Sequence, residues 1–304
     1  MRVGVTGASG LIGSALTRAL TERGDEVVRF VRPDSARVEG LTLRWDPRRG
    51  SFDEGDLDRI GGFDAVVHLA GQGVADKRWT AEQRYEVLNS RIASTSLVVE
   101  ILRASKHAAA VLASGSAIGY YGSRGDELLD EHSSAGEGFL ADVCMHWEAA
   151  ALEASQLGSA VATLRTGIVM SAVGGALARQ LPLFRLGLGG RLGTGRQWLS
   201  PISLDDEVRA ILWVIDHRLS GPFNLVAPEP VTNAVFTAAM GHALHRPSVT
   251  RVPAFALRAI LGSQLANQAI LASQRVVPRA LSDSGFDFVH PDISSILRAV
   301  LSRA

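Results

Sequence analysis

The chain has 304 residues, a length that favours about two domains. With 46% hydrophobic and 20% charged residues, its composition excludes a disordered or fibrous protein. Its 31 basic residues balance its 31 acidic residues, so the net charge does not indicate a polyanion-binding protein, and we expect no nucleic-acid partner. The single cysteine, Cys144, excludes an internal disulfide and a cysteine-rich metal cluster, and we expect no bound metal.

Two features bear on the location of the protein. No apolar run approaches the ~20 residues that a membrane helix needs. Residues 1–7 carry one positive side chain, and their glycines interrupt any apolar stretch, so no signal peptide is predicted. We therefore expect a cytoplasmic protein with no membrane partner.

Strand-like and helix-like segments alternate through the first half of the chain. This alternation predicts a parallel sheet covered by helices on both faces. The predicted strands are short apolar runs at residues 3–6, 27–31, 65–69, 110–114 and 161–165. The predicted helices between them are amphipathic and cover residues 11–23, 81–105 and 139–155.

Three glycines, Gly7, Gly10 and Gly13, follow the first predicted strand and open the first helix. In this setting their spacing is typical of a dinucleotide-binding loop: the first permits a sharp turn, the second a close approach to a pyrophosphate, and the third close packing of helix on strand. The N-terminus of the helix would bind the phosphates. A tight structural turn is the alternative. The predicted contacts are Gly7, Ser9, Gly10, Leu11, Ile12 and Gly13.

The end of the second predicted strand indicates which dinucleotide is bound. NAD sites usually carry Asp or Glu there, whereas NADP sites offer Arg to the 2′-phosphate. Val31 is followed by Arg32, whose guanidinium can bind a phosphate through two hydrogen bonds, although Asp34 stands just beyond the strand. We predict NADP(H), with Val31 and Arg32 among its contacts. A solvated charge is the alternative for Arg32.

The regular alternation loosens after residue 170. Five of the nine residues from 187 to 195 are glycine, residues 204–217 look helical, residues 223–226 look like a strand, and the tail from residue 233 looks mostly helical. The predicted fold class is therefore α/β: a Rossmann-type doubly wound parallel sheet with a smaller, mainly helical C-terminal substrate lobe. We expect residues 1–170 plus 204–227 to form the NADP(H)-binding domain. Residues 171–203 plus 228–304 would form the lobe.

Several segments resemble the extended short-chain dehydrogenase/reductase superfamily and, more narrowly, its atypical epimerase-family subgroup, often described as nucleoside-diphosphate-sugar epimerase-like. The segments extend nearly from end to end: the glycine loop and residues 64–71, 75–80, 89–91, 114–122, 164–169, 183–190, 221–225 and 273–278. The resemblance implies a Rossmann-type domain, NADP(H) and a small lobe over the cofactor. It also implies cofactor contacts from Leu69, Ala70, Gly71, Glu86 and Arg91. For Glu86 and Arg91 the alternative is an exposed charge pair on a helix.

The catalytic pair of that superfamily is missing from this chain. The superfamily uses Tyr with Lys four positions later, and the Lys lowers the Tyr pKa from ~10 so that it exchanges a proton near neutral pH. No tyrosine stands four positions before a lysine here. Phe139 or Leu140 occupies the tyrosine position, and Val143 or Cys144 occupies the lysine position. This departure places standard epimerase or reductase chemistry in doubt.

Three other hydroxyls are the candidate catalytic groups. Ser116 can hydrogen-bond a substrate carbonyl or hydroxyl, and Tyr120 and Tyr121 follow it closely. Either tyrosine would act as an acid or base if a cation such as Lys77 lay near it. Packing or substrate stacking is the alternative for both tyrosines.

A glycine-rich segment at residues 185–198 is the predicted substrate site. Its glycines expose backbone N–H groups, and Arg185, Arg191 and Arg196 add positive charge, which suits a diphosphate or a carboxylate. Lys77 completes the predicted substrate-binding set. A glycine-rich hairpin with solvated arginines is an equally good interpretation.

Three functions remain open from the sequence. The first is an NADP(H)-dependent oxidoreductase or epimerase that acts on a small polar substrate resembling a sugar nucleotide, as a monomer or a homo-oligomer. The second is an NADP(H) sensor without chemistry, which the missing Tyr/Lys pair favours. The third is an interaction protein that uses the apolar helical faces at residues 255–261 and 265–271.

Overall fold

The computed structural model describes residues 1–35, 39–75, 77–107 and 109–302; Asp76, part of one segment of the resemblance, lies outside them. The strands are β1 Arg2–Thr6, β2 Glu26–Val31, β3 Leu41–Asp46, β4 Ser51–Phe52, β5 Ala65–His68, β6 Val111–Ala117, β7 Leu128–Leu129, β8 Ala160–Thr166, β9 Ile168–Met170, β10 Gly190–Leu192, β11 Trp198–Leu199, β12 Pro201–Ser203, β13 Gly221–Leu225, β14 Val231–Thr232, β15 Thr250–Val252 and β16 Arg275–Val276. The helices are α1 Leu11–Glu22, α2 Glu54–Ile60, α3 Ala81–Ala104, α4 Phe139–Leu152, α5 Gly175–Arg185, α6 Leu204–Asp216, α7 Asn233–Leu244, α8 Ala254–Leu261, α9 Ser263–Leu265, α10 Arg279–Asp283 and α11 Ile293–Leu301. Short 3₁₀ helices cover Ile118–Tyr121 and Glu153–Leu157, and a π-helical turn covers Ala266–Ile270.

The central sheet has eight strands in the order β13-β8-β6-β5-β1-β2-β3-β4. Every neighbouring pair is parallel except β3 and β4 at the edge. The inner strands consist of the short apolar runs identified in the sequence, and burial on both faces explains their lack of alternation. The predicted doubly wound α/β fold is confirmed.

Helices cover both faces of this sheet. On one face Val3, Val5 and Val67 pack with α1 and α6, and on the other face Val28 and Val66 pack with α2, α3 and the 3₁₀ turn after α4. The strand order reverses between β1 and β5, because the chain first runs outward from β1 to β2 and β3 and then returns to the other side of β1. In doubly wound sheets ligands bind beyond the carboxyl ends of the strands at this point.

The edge strands β3 and β4 extend the sheet beyond the strands that the sequence predicted. In β3, Leu43 and Trp45 are buried, whereas Arg44 between them is exposed. Such alternation is typical of a strand covered on one face, so a search for continuous apolar runs misses it.

A separate apolar core lies in the C-terminal part of the chain. There α5, α7 and α11 pack around Leu177, Phe184, Phe236, Met240 and Leu297. The predominance of helix after residue 233 agrees with the sequence pattern, although the tail also contains the short strands β15 and β16. The predicted division into two domains stays a prediction. Within the described residues, no helix combines the length and apolarity needed to cross a bilayer.

Candidate functional site: a glycine-loop cleft and an apolar pocket

The glycine loop between β1 and α1 brings backbone against backbone. Gly7 has a φ of 65°, and a Cβ on it would lie 3.0 Å from the Leu69 carbonyl. A Cβ on Gly13 would lie 2.2 Å from the Gly7 carbonyl oxygen, which is a severe clash, whereas one on Gly10 would lie 3.3 Å from the same oxygen. The loop therefore presents backbone rather than side chains beside the N-terminus of α1, as a phosphate group requires.

A buried hydrogen-bond chain fixes the wall opposite this loop. The Thr6 Oγ1 accepts hydrogen bonds from the Leu69 and Ala70 amides at 3.0 and 3.1 Å, so its own hydrogen points to the His68 Nδ1 at 2.8 Å. The His68 Nε2–H then donates to the Thr95 Oγ1 at 3.0 Å. Burial, together with the charge of Arg91, lowers the pKa of His68 to about 3, so the ring is neutral. This chain connects β1, β5 and α3.

A large cleft of about 1140 Å³ runs from the glycine loop along the ends of β1, β2 and β5. Nine of the thirteen predicted cofactor contacts line it: Gly7, Ser9, Gly10, Val31, Arg32, Leu69, Ala70, Gly71 and Glu86. Leu11, Ile12 and Gly13 are not in the lining, because Gly13 packs under the Gly7 carbonyl and Leu11 lies against the start of α5.

Three arginines also line the cleft: Arg29, Arg32 and Arg48. The Arg32 side chain is 53% exposed, and its Nη1 lies 3.9 Å from the Asp46 carboxylate, so it is weakly paired and accessible. Asp34, the residue that complicated the sequence prediction, is not in the lining.

A second, smaller pocket of about 260 Å³ lies beside the cleft at the ends of β6 and β8. Most of its wall is apolar: Val74, Ile118, Leu140, Val143, Trp147, Ile168, Trp198, Leu199, Ala269 and Ala272. Arg91 is the one charged residue in the described lining. Helix α3 thus presents Glu86 to the cleft and Arg91 to the pocket, although the Arg91 guanidinium also packs against Gly71 and donates to the Gln72 carbonyl, both in the wall of the cleft.

The two positions of the missing Tyr/Lys pair lie in this pocket. Leu140 and Cys144 both line it, whereas Phe139 packs against Trp79 with ring centroids 5.1 Å apart. Burial, reinforced by the charge of Glu148, raises the pKa of the Cys144 thiol to about 11. The thiol is therefore protonated at neutral pH and is a poor nucleophile.

The three predicted catalytic residues, Ser116, Tyr120 and Tyr121, lie together behind the pocket. The Ser116 hydroxyl donates to the Glu148 carboxylate at 2.6 Å. The Arg165 guanidinium lies 3.5 Å from the Tyr120 ring centroid, and its Nη1 donates to the Tyr121 hydroxyl at 3.0 Å. None of the three is in the lining of the cleft or the pocket. A catalytic role for them stays a prediction that this placement does not favour.

Tyr121 is the least accessible of the three. It is fully buried, and its hydroxyl donates to the Asn224 Oδ1 at 2.7 Å. Burial raises its pKa to about 12, although Arg165 acts in the opposite direction. Such a hydroxyl is suited to anchoring β13 rather than to exchanging protons.

The predicted substrate-binding residues lie elsewhere. Lys77, Arg185 and Arg196 are exposed, and Arg191 stands on β10 next to Arg251 of β15. None of the four predicted residues lines the cleft or the pocket. Substrate binding by these four residues stays a prediction that this placement does not favour, although Trp198 of the same segment lines the pocket.

The C-terminal segment supplies pocket residues that sequence reasoning missed. Gln268, in the π-helical turn, accepts a hydrogen bond from the Leu140 amide at 3.2 Å, and Gln274 donates to the Ile118 carbonyl at 2.8 Å. Both residues line the pocket beside Trp198. A π-helical turn is frequent at functional sites, but no local sequence pattern predicts it.

Taken together, the sheet, the glycine loop and the cleft define a Rossmann-type α/β protein. A model described as the NAD dependent epimerase/dehydratase family matches residues 3–225, and a domain of unknown function, DUF1731, matches residues 252–300. The chain belongs to the NAD dependent epimerase/dehydratase family.

Relatives match along the whole chain. The epimerase family protein Mb2239 of Mycobacterium bovis is 45% identical over 99% of this chain and 98% of its own length. The chloroplastic epimerase family protein SDR39U1 homolog of Arabidopsis thaliana is 36% identical over 99% of this chain and 87% of its own length.

A solved structure extends the likeness to three dimensions. The crystal structure of the human epimerase family protein SDR39U1 with NADPH superposes with a TM-score of 0.87 at 29% identity, and the alignment covers 100% of both chains.

Proposed function

We propose that the protein binds NADP(H) in the large cleft and is an oxidoreductase or epimerase. The observation that carries this proposal is the cleft itself, which is lined by the glycine loop and by three arginines, Arg29, Arg32 and Arg48. This charge suits the additional 2′-phosphate of NADP(H). The human relative crystallised with NADPH supports the same choice.

The residues present fit such a cofactor. The Ser9 amide and the first amides of α1 would hold the pyrophosphate, since the Gly10 amide already donates to the Gly7 carbonyl at 2.9 Å. The Leu69–Gly71 turn would lie against the nucleotide. Arg32 would bind the 2′-phosphate through its planar guanidinium. When bound, NADP(H) supplies a hydride at C4 of its nicotinamide. The pocket at the ends of β6 and β8 would then exclude water from the reacting groups.

The composition of the pocket walls indicates how polar the substrate is. The sequence favoured a small polar substrate resembling a sugar nucleotide, but the lining is mainly apolar and the predicted arginines lie outside it. The pocket therefore favours a less polar substrate.

The sensor function is the second candidate. It is favoured by the positions of Ser116 and Tyr121, whose hydroxyls are engaged in the interior, and by Leu140 and Cys144 at the catalytic positions. In this case NADP(H) would bind without turnover.

The cofactor assignment is tested by measuring NADPH and NADH binding to the wild type and to R32S, with R18S on the exposed side of α1 as the matched control. Losing a charge-assisted hydrogen bond costs ~1.5–3 kcal/mol, or about 10–100-fold in affinity. We expect R32S to weaken NADPH binding by this factor and to leave NADH binding nearly unchanged. R18S should bind both cofactors like the wild type. Unchanged NADPH binding in R32S would refute the 2′-phosphate assignment.

Enzyme and sensor are separated by an isotope experiment. The purified protein is loaded with NADPH that carries deuterium at C4 and is incubated with a small-metabolite extract of its source cell. Deuterium in a product, detected by mass spectrometry, supports the enzyme and identifies its substrate. Tight NADPH binding without any labelled product supports the sensor.

A further inference from the structure

Arg91 occupies an unusual position for a charged side chain. The residue is only 9% exposed, and its guanidinium lies 4.9 Å from the Trp147 ring in the wall of the apolar pocket. Its Nη1 donates to the Gln72 and Val87 carbonyls, both at 2.9 Å. In the described part of the chain, Nε and Nη2 have no hydrogen-bond partner, and no carboxylate forms an ion pair with the group.

A buried cation without a counter-charge is costly. Removing a charge from water is unfavourable unless an opposite charge or further hydrogen bonds compensate for it. Burial accordingly lowers the pKa of Arg91. Elsewhere in the interior the chain compensates such a charge, since Arg165 forms a bidentate ion pair with Glu148. Arg91 thus has two donor nitrogens available and an uncompensated charge.

The other polar groups of the pocket are largely engaged by the protein. The Ser200 hydroxyl donates to the Gln274 carbonyl, the Thr166 hydroxyl donates to Glu207, and the Gln268 Oε1 accepts from Leu140. The remaining wall is aliphatic and aromatic. A ligand of this pocket therefore meets an apolar surface and one cation.

We propose that the pocket binds a small, flat and largely apolar carboxylate, and that Arg91 holds its carboxylate group. Nε and Nη2 lie along one edge of the guanidinium, which is the edge that matches a carboxylate in a bidentate pair. This role differs from the cofactor contact implied by family resemblance, and it rests on the proposed function only in that NADP(H) occupies the neighbouring cleft.

Two other ligand classes fit less well. A sugar nucleotide is too large, since pockets for drug-sized ligands usually measure ~300–1,000 Å³ and this one measures about 260 Å³. A neutral apolar molecule would bury Arg91 further and leave its charge uncompensated.

The test uses 2-naphthoate as the probe. Wild-type protein saturated with NADP⁺ is titrated calorimetrically with 2-naphthoate, with 2-naphthalenemethanol, which has the same ring without the charge, and with UDP-glucose. We expect 2-naphthoate to bind about tenfold or more tightly than the alcohol, as a charged hydrogen-bonded pair of ~1.5–3 kcal/mol requires. UDP-glucose should not bind.

Variants assign the effect to Arg91. R91Q should weaken the binding of 2-naphthoate about tenfold or more and leave the affinity for the alcohol unchanged. R91K should have an intermediate effect, because lysine keeps the positive charge but lacks the planar guanidinium. R103Q, at an exposed position of the same helix, is the matched control. If R91Q does not fold, the R91K variant and the wild-type comparison of acid and alcohol still decide the proposal.

Three results would overturn the proposal: equal affinities for acid and alcohol, undiminished 2-naphthoate binding in R91Q, or binding of 2-naphthoate to the cofactor-free protein but not to the protein saturated with NADP⁺. The last would mean that the pocket takes part of the cofactor. Failure of the proposed function is a separate result, because it appears as absent NADP(H) binding. The comparison of acid and alcohol on the cofactor-free protein would then still decide the role of Arg91.

Discussion

Arg165 and Glu148 form a bidentate ion pair in the interior, in which Nε and Nη2 donate to the two carboxylate oxygens, each at 2.9 Å. Their side chains are 5% and 11% exposed. Ser116 donates to the same carboxylate, and Arg165 donates onward to Tyr121, so the pair connects β6, α4 and β8. Two of the three hydroxyls that the sequence marked as catalytic, those of Ser116 and Tyr121, are thus bound to a structural ion pair, and Arg165 contacts the third residue, Tyr120, through its ring.

This pair predicts a large loss of stability when one charge is removed. E148Q leaves the Arg165 guanidinium buried and uncompensated, so the free energy of unfolding should fall by about 3–5 kcal/mol. E153Q, at an exposed position just after α4, is the matched control and should change the free energy of unfolding by less than about 0.5 kcal/mol. Urea denaturation at neutral pH measures both. Equal values for the two variants would contradict the structural role of the pair.

The glycine loop predicts different effects at two neighbouring positions. In G13A the new Cβ would lie 2.2 Å from the Gly7 carbonyl, so the backbone must move. We expect a loss of about 1–3 kcal/mol in stability, together with loss of NADPH binding. In G10A the φ of −75° is ordinary and the nearest atom, the Gly7 carbonyl oxygen, lies 3.3 Å away, so a shift of a few tenths of an ångström suffices and stability should fall much less than in G13A.

Gly10 nevertheless lines the cleft, so G10A should weaken NADPH binding while the protein stays folded. Thermal unfolding and fluorescence titration with NADPH separate the two effects. A G13A variant as stable as the wild type, or a G10A variant with undiminished NADPH affinity, would contradict this account of the loop.

The sequence predicted the sheet and the glycine loop because both are local patterns. Strands buried on both faces appear as apolar runs, and the three glycines stand at a fixed spacing beside β1. The edge strand β3 was missed because its covered face gives alternation instead of a continuous run.

The pocket could not be predicted in the same way. Arg91 and Glu86 lie on one helix, yet only the packing of α3 against α4 directs Arg91 to Trp147 and the pocket. Tyr121 is separated by 103 residues from Asn224, the residue that binds its hydroxyl. Such long-range pairings decide whether a hydroxyl is accessible, and no local spacing encodes them.

His68 predicts a loss of stability in acid. Its pKa falls from 6.5 to about 3 on folding because of burial, so the unfolded chain binds the proton more readily. The stability contributed by the neutral ring is present above about pH 6.5 and is lost progressively as the pH falls toward 3. H68Q lacks this titration, so the stability difference between wild type and H68Q should narrow between pH 6.5 and 4. Urea denaturation across this range measures the difference, and a constant value would contradict the assignment of a neutral buried ring.

Glu207 predicts the opposite dependence of stability on pH, a loss as the pH rises. It is fully buried, its Oε1 accepts a hydrogen bond from Thr166, and its Oε2 has no partner in the described structure. Burial raises its pKa from 4.5 to about 8, although the Thr166 hydrogen bond opposes this. The folded state therefore holds the proton that the unfolded state releases, and stability falls as the pH rises from about 4.5 to 8.

E207Q removes this titration, so the variant should gain stability relative to the wild type as the pH rises from 5 to 8. E100Q, on the exposed side of α3, should show no such trend. Urea denaturation at several pH values tests the prediction, and a flat difference between E207Q and wild type would show that the carboxyl ionises normally. Because Thr166 lines the same pocket as Arg91 and its hydroxyl is bound to Glu207, ionisation of this carboxyl would place a negative charge behind the pocket wall. Binding of 2-naphthoate should therefore weaken above pH 8 in the wild type but not in E207Q.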